Sequence, residues 1–421
     1  MSDRVVFLFP GQGAYLPGVF AGLDADAERI MDWVAEIDDA AGEFGYEPVQ
    51  PLLFAPDAPA LGPLLRSDHE RLDVATLATS IVFARLLDEK WDIRPNHVLG
   101  HSLGEFAALA VAGVLTPADA TRAVCERHVA LRKAPPPAGG MLAVNVDPTR
   151  AGELIASAGA DAVAVSAHNS PEQTVLSGDE MDLVRVQEAA EKAGIRRSRL
   201  RVASSFHVQQ LTDASELYAA ALRKIVRSAP RERVFYSHGL GRFLTAADDV
   251  VELMVADMTR PVRFQQAVRA LHDDGATRFV ECGALATLTS IVSVILPSAV
   301  TIAPLRTVVT AADLSAVLEP LSPSATSAAA DSDAEVLETV RAVCAEILEY
   351  PPEVITDTAD FTADLGADSL TLSELLERAL LRYGLEDKFH EGDPAGYATV
   401  AELAAFVAGL VRERADATAG R

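Results

Sequence analysis

The 421 residues carry a formal net charge of −25, with 49% hydrophobic and 23% charged side chains, enough apolar material for two or three domain cores of ordinary size. That balance has the wrong sign for gripping phosphate backbones, and no apolar run approaches the roughly 18 residues that span a bilayer, so neither nucleic acid nor membrane is expected as a partner. Cys125, Cys282 and Cys344 are widely spaced, lack metal-ligand spacing and leave one unpaired in any disulfide scheme, which points to a reducing, cytoplasmic setting with no secretion signal.

Val5 to Phe9 reads as a strand that runs into Pro10-Gly11-Gln12-Gly13, a loop that is either a simple turn or a source of backbone N–H groups for an oxyanion. A second short strand, Val98-Leu99, enters Gly100-His101-Ser102-Leu103-Gly104-Glu105 and then a helix-prone stretch to Ala112. Glycines on both sides of Ser102 suit a nucleophile lifted on a sharp strand-to-helix turn. On the helix after Pro117, the residues Ala120, Val124, Arg127 and Leu131 share one stripe, which places a guanidinium on the buried face. Such an arginine needs a carboxylate, either from the protein as an internal salt bridge or from a substrate.

Residues 139–203 read as an inserted β-α-β-β-α-β unit: strands Met141–Val146, Ala162–Ala167, Gln173–Ser177 and Ile195–Val202, helices Pro148–Ser157 and Glu180–Ala193. His207 follows its last strand, where the chain returns toward the elbow. A serine hydroxyl needs a base to take its proton, and among nine histidines His207 has the best position. Alternating short strands and amphipathic helices make the region up to about residue 310 an α/β domain with a largely parallel sheet.

The stretch 311–333, rich in Ala, Ser, Thr and Pro and without periodicity, reads as a flexible linker. Beyond it, residues 334–415 show three helical stripes: Val336, Val340, Val343 and Ile347; Leu372, Leu375, Leu376, Ala379 and Leu380; and Val400, Leu403, Val407, Leu410 and Val411. They predict a small all-α bundle. Residues 312–421 hold 22 Asp and Glu against 7 Lys and Arg, an acidic surface in about a quarter of the chain. Ser369, within Asp364-Leu365-Gly366-Ala367-Asp368-Ser369-Leu370, reads either as a helix N-cap or as an attachment point for a prosthetic arm.

Residues 4 to about 306 resemble the malonyl-CoA:acyl-carrier-protein acyltransferase family, including acyltransferase domains of polyketide synthases. The resemblance rests on Gly11-Gln12-Gly13, the Ser102 hexapeptide, Arg127, Asn169 with Ser177-Gly178, Phe206-His207 and Pro261-Val262-Arg263-Phe264. It implies an α/β-hydrolase-like core with a ferredoxin-like insert, Ser102 as acylated nucleophile, His207 as base, and the backbone amides of Gln12 and Leu103 as oxyanion hole. It further implies Arg127 as clamp on the carboxylate of a dicarboxylic acyl group, Asn169 and Phe206 as substrate contacts, and the Asp257 carbonyl as the group that orients His207. Residues 334 to about 412 resemble an acyl carrier protein, which implies a covalent 4′-phosphopantetheine on Ser369, installed by a phosphopantetheinyl transferase. Three departures are evident: Asp257 stands where a Gln or Asn is usual, Glu281-Cys282-Gly283-Ala284 replaces Glu-x-Gly-Pro, and a glutamine common near Val74 and Ala75 is missing.

The expected activity is metal-free transfer of malonyl from malonyl-CoA through Ser102 to the thiol of a carrier, its own C-terminal domain first, among polyketide synthase components. Ser204-Ser205-Phe206-His207 is similar to the segment of malonyl-selective relatives, and the bulk of Phe206 would crowd an α-methyl branch; Leu103 after the serine points the same way. The alternatives are transfer of another acyl group to or from a partner carrier, hydrolysis of acyl-carrier thioesters, and a non-catalytic docking protein.

Overall fold

The computed structural model describes residues 4–202, 204–226, 234–321, 323–348, 355–357, 359–361, 365, 367, 369–383, 385, 388 and 397–419, and the backbone alone for 320, 323–335, 369, 370 and 412–419. Within them the chain forms two compact units, residues 1–319 and 320–421.

The strands are β1 (Arg4–Phe9), β2 (His97–Gly100), β3 (Gly139–Val144), β4 (Val163–Ser170), β5 (Gln173–Asp179), β6 (Arg197–Arg199), β7 (Tyr236–Ser237), β8 (Arg242–Phe243), β9 (Ala276–Glu281) and β10 (Val300–Ile302). The main sheet has the order β10-β9-β1-β2 and is parallel throughout. Parallel pairing demands long crossover connections, which is why the chain inserts helices between these strands. Val6 to Phe9 and all of β2 are buried, the continuous apolar run of a strand covered on both faces.

The inserted unit pairs antiparallel in the order β4-β5-β3-β6, with helices Pro148–Ala158 and Glu180–Lys192. Asp147 and Asp179 cap those helices by accepting two backbone N–H bonds each. Side chains alternate across the sheet, so Leu142, Val144, Leu176, Leu183 and Val186 make the unit's own core. Met141, Ala143, Ala167 and Val175 face the other way and join Val262, Phe264 and Leu288 of the main unit. The Pro261-Val262 segment stitches the two together: His168 N–H donates to Val262 O (2.8 Å) and Val262 N–H to Ser166 O (2.9 Å). The expected final strand Ile195–Val202 is shorter than predicted, reduced to β6 at the sheet edge.

In the second unit, helices Pro323–Leu348, Ser369–Leu381 and Val400–Ala419 contribute the predicted stripes to one core, with Val340, Val343, Leu375, Leu376, Leu380, Val400, Leu403 and Val407 buried. The expected flexible linker is corrected. Residues Ala311–Leu318 form a helix opened by a Thr310/Asp313 capping box, with Leu314 and Leu318 buried, and helix Pro323–Leu348 begins inside the stretch read as unstructured. Alanine has the highest helix propensity, so a segment without an apolar period still becomes helical.

Candidate active site

β2 ends at Gly100, and the elbow that follows leaves no room for side chains at its flanks. A Cβ on Gly104 would sit 1.9 Å from Phe9 O, and one on Gly100 would sit 2.4 Å from the Glu105 backbone. The turn holds Ser102 at φ 54°, a left-handed conformation that costs an ordinary residue on the order of 1–3 kcal/mol and lifts its hydroxyl clear of the sheet. Helix Gly104–Val111 starts directly behind it, with Leu103 at its N-cap. His207, also at positive φ (60°), reaches the serine from 105 residues away, its Nε2 2.7 Å from Ser102 Oγ. On the other side of the ring, Nδ1–H donates to the backbone carbonyl of Asp257 (2.6 Å), which settles the tautomer and leaves Nε2 free to accept the serine proton.

The loop bearing His207 is anchored from the insert: Phe206 N–H donates to Ser177 Oγ (3.1 Å), which in turn donates to Gly140 O (3.3 Å). His101 turns away from the serine, with Nε2 2.8 Å from Asn169 Oδ1, while Asn169 Nδ2 donates to Gln173. Burial drives the His101 pKa down to about 4, so it stays neutral. Burial also depresses His207, against the opposing Asp257 carboxylate, whose Oδ1 lies 3.7 Å from Nδ1. Behind it, His238 Nε2 sits 3.0 Å from Glu105 Oε1 and 3.4 Å from Asp257 Oδ1. Although burial opposes its charge, these carboxylates raise the His238 pKa to about 10. Arg263 N–H donates to His238 Nδ1 (3.4 Å), so it is Nε2 that carries the proton facing the two carboxylates.

A cavity of about 380 Å³ opens over Ser102, lined by the Pro10–Ala14 loop, His101, Asn169, Phe206 and His207, and by the apolar insert face Met141, Ala143, Ala167 and Val175. The loop's own turn bonds run from Ala14 N–H to Gly11 O (3.3 Å), and across the elbow Gly104 N–H donates to His101 O (3.0 Å). Neither uses the N–H of Gln12 or of Leu103. Glu281 does not face the cavity; it is buried and accepts from the N–H groups of Thr287, Leu288 and Thr289, closing the start of helix Thr287–Ile295.

Arg127 is buried on helix Pro117–Lys133, between the rings of Phe106 (5.2 Å) and Phe206 (5.7 Å). Its Nη2 donates to Asp73 Oδ2 at 3.2 Å, so the internal salt bridge left open by the sequence is present. Among the described residues, the cavity lining includes Gln12 and Phe206 and leaves out Arg127. Asp73, on helix His69–Trp91, also accepts from His128 Nε2 (3.0 Å) and Gln12 Nε2 (2.8 Å). Burial alone would raise its pKa, but His128, Arg127 and Gln12 hold it below the usual carboxylate value.

The fold gathers Ser102, His207, Phe206, Asn169, Gln12, Leu103 and the Asp257 carbonyl, all named from the sequence, in one place. Asp73, Glu105 and His238, beside them, were not named from the sequence as site residues. A signal for Asp73 existed: it is the lone charge entering the apolar and small-residue run from Leu72 to Ala84, beside the position where a glutamine was noted as missing. Ser369 opens helix Ser369–Leu381 in the second unit. The residues 364, 366 and 368 of its motif lie outside those described. A group bound there as a phosphodiester would lie at a helix N-terminus, which suits an anion. Among the described residues no helix is long and apolar enough to cross a membrane, and the three cysteines are buried and free.

Two family models match the chain: the acyl transferase domain over residues 6–315 and the phosphopantetheine attachment site over residues 338–407. The second domain accordingly carries covalent 4′-phosphopantetheine. Among curated proteins, the chain is 34% identical over 294 residues to a spectinabilin polyketide synthase system protein of Streptomyces orinoci and 35% over 311 residues to an erythronolide synthase of Saccharopolyspora erythraea. These matches cover 69% and 72% of this chain but only 8% and 9% of those much longer relatives. Among solved structures, a malonyl-CoA:acyl carrier protein transacylase of Xanthomonas oryzae superposes with TM-score 0.67 at 27% identity, covering 76% of this chain and 98% of that one. The acyltransferase domain from module 8 of the salinomycin polyketide synthase gives TM-score 0.67 at 31% identity, over 76% and 75% of the two chains.

Proposed function

This chain belongs to the acyl transferase domain family, and from that premise we propose that it moves a malonyl group from malonyl-CoA, through an ester on Ser102, to the thiol of an acyl carrier protein, its own C-terminal domain first. The observation that carries the reading is the 2.7 Å contact between Ser102 Oγ and a neutral, backbone-oriented His207 at a strained elbow beneath an open cavity, in a chain that also contains a carrier domain. His207 takes the serine proton as Oγ attacks the thioester carbonyl. The N–H groups of Gln12 and Leu103 receive the oxyanion, and the departing thiolate leaves with the proton held on Nε2. The acyl ester is released by the same steps in reverse, with His207 again acting as base toward the incoming thiol. The phosphopantetheine arm, for which we assign Ser369 as the attachment residue, supplies that thiol and its reach.

Malonyl is supported by the malonyl-CoA activity of the Xanthomonas oryzae transacylase, by the presence of Arg127 near the cavity, and by Phe206 at the cavity wall, where it would crowd an α-methyl branch. The polyketide synthase relatives support polyketide synthase components as the setting of such a transfer, and we infer that a phosphopantetheinyl transferase installs the arm on the carrier.

Intact-protein mass spectrometry of the full chain after exposure to malonyl-, methylmalonyl- and acetyl-CoA tests the first half. Malonyl should give the fastest adduct, lost in Ser102→Ala; rapid release of free acid in place of thiol transfer would favour a hydrolase instead. For self-loading, an arm-bearing Ser102→Ala chain is mixed with a Ser369→Ala chain. Slow, concentration-dependent loading of the mixture beside fast, concentration-independent loading of the intact chain is the expected outcome, because tethering supplies an effective concentration on the order of millimolar. Equal rates at low micromolar protein would rule out self-loading.

A further inference from the structure

The acyl-exchange reading leaves a buried cluster behind His207 without a task. Asp257 stands where a Gln or Asn is usual, so a carboxylate lies beside His207 in addition to the carbonyl that holds its ring. Asp257 Oδ1 is 3.7 Å from His207 Nδ1, and a movement of about 1 Å would bring it within hydrogen-bond range of the proton that now goes to the Asp257 carbonyl. Facing the same oxygen is His238, from the turn after β7, whose Nε2 lies 3.4 Å from Asp257 Oδ1 and 3.0 Å from Oε1 of Glu105 on the elbow helix. Arg263 N–H donates to Nδ1 of that ring, and the Nε2 proton faces both carboxylates without full alignment on either. A cavity of about 180 Å³ borders all three side chains, so the Asp257 carboxylate has room to turn. The three ligand atoms lie within 4.8 Å of one another, as a metal site would require, but a protonated Nε2 has no lone pair for a metal.

We propose that His238 is a positioning residue for His207: its Nε2–H holds the Asp257 carboxylate back, so that the Nδ1 proton of His207 stays with the backbone carbonyl and the site keeps a serine–histidine pair in place of a Ser102–His207–Asp257 triad. The proposal rests on acyl exchange at Ser102. The groups around His207 are Asp257, which favours the protonated ring, and His238 and Arg127, which oppose it; His101, beside the serine, is neutral, and Glu105 acts on His238. Without the Nε2 donor, the Asp257 carboxylate turns to the nearest remaining one, His207 Nδ1–H, and the protonated ring gains. His207 then loses its proton-accepting form at a higher pH than in the unaltered chain.

The test is the acid limb of the pH profile of kcat/KM for Ser102 acylation by malonyl-CoA, measured on the full chain. His238→Asn keeps an acceptor near the Nδ1 position for Arg263 N–H, but its side chain is too short to carry a donor to the Nε2 position. The limb should rise by about one pH unit or more, the scale of an opposite charge brought into contact. His238→Gln places an amide N–H near the Nε2 position and should leave the limb where it is in the unaltered chain, and Asp257→Asn added to His238→Asn should abolish the rise. A limb that stays or falls in folded His238→Asn overturns the proposal, as does a rise shared by His238→Gln or one that survives the added Asp257→Asn. If His238→Asn does not fold, Asp257→Asn alone decides: with the carboxylate held off, the limb should fall by less than about one unit, and a larger fall would show that it already sits on the ring. Adducts whose pH profile does not respond sink only this inference, whereas no Ser102 adduct from malonyl-CoA at any pH in the unaltered chain sinks the acyl-exchange reading beneath it.

Discussion

The serine–histidine pair and the aspartate–arginine pair of this site both join residues far apart in the chain, 105 positions for Ser102 and His207 and 54 for Asp73 and Arg127, but they are held by different means. Ser102 and His207 are fixed through the backbone: both sit at positive φ, glycines 100 and 104 admit the elbow, and Ser177 and the Asp257 carbonyl hold the histidine loop and ring. Asp73 and Arg127 are fixed through side chains alone, projected from two helices whose backbones are regular. A nucleophile held by backbone geometry is rigid and costly to disturb, whereas a pair of side chains on regular helices can exchange partners without moving the fold.

The largest expected effect is on the backbone-held side. Ser102→Ala should cut acyl transfer by at least about 10⁴-fold, the scale of removing a nucleophile, with thermal stability little changed because alanine at φ 54° carries the same left-handed strain. Residual transfer at a tenth of the original rate would mean that another group carries the acyl chain. Next comes the side-chain pair: Arg127→Ala strands the Asp73 charge in the interior and should cost about 3–5 kcal/mol of unfolding free energy in urea titration. The double change Asp73→Asn with Arg127→Met should recover most of that loss. Failure to recover would show that the two residues matter through packing and not as a charge pair.

Gly104→Ala drives a Cβ into Phe9 O and should destabilise by about 1–3 kcal/mol or distort the elbow, so that melting temperature and Ser102 acylation fall together. An alanine tolerated without change in either would contradict the rigidity assigned to the turn. The smallest effect is expected from Asp257→Asn, which leaves the carbonyl contact to His207 intact. Burial already holds His207 below its ordinary 6.5, so acylation is supported above that lowered pKa and lost as pH falls through it. The Asp257 carboxylate favours the protonated ring, and removing it should move the acid limb of the kcat/KM profile to lower pH, with the plateau changed by less than about tenfold. A shift to higher pH would show that His238, not Asp257, dominates the field at His207.

The amino-acid sequence determined by itself those features whose cause is local. Glycines flanking Ser102 are legible because the elbow excludes a Cβ at both places, the order of the insert because apolar residues alternate on its strands, and the three carrier stripes because each helix shows one face to a core. His207 was found by position, since its strand returns it to the elbow. Only the tertiary structure decided which carboxylate Arg127 meets, that His238 faces Glu105 and Asp257, and that residues 311–318 are helical instead of flexible. Periodicity shows that a side chain is buried but not what faces it across the next helix. That partner is chosen by packing between segments, and the charge state of each group follows from the burial and neighbours that packing creates.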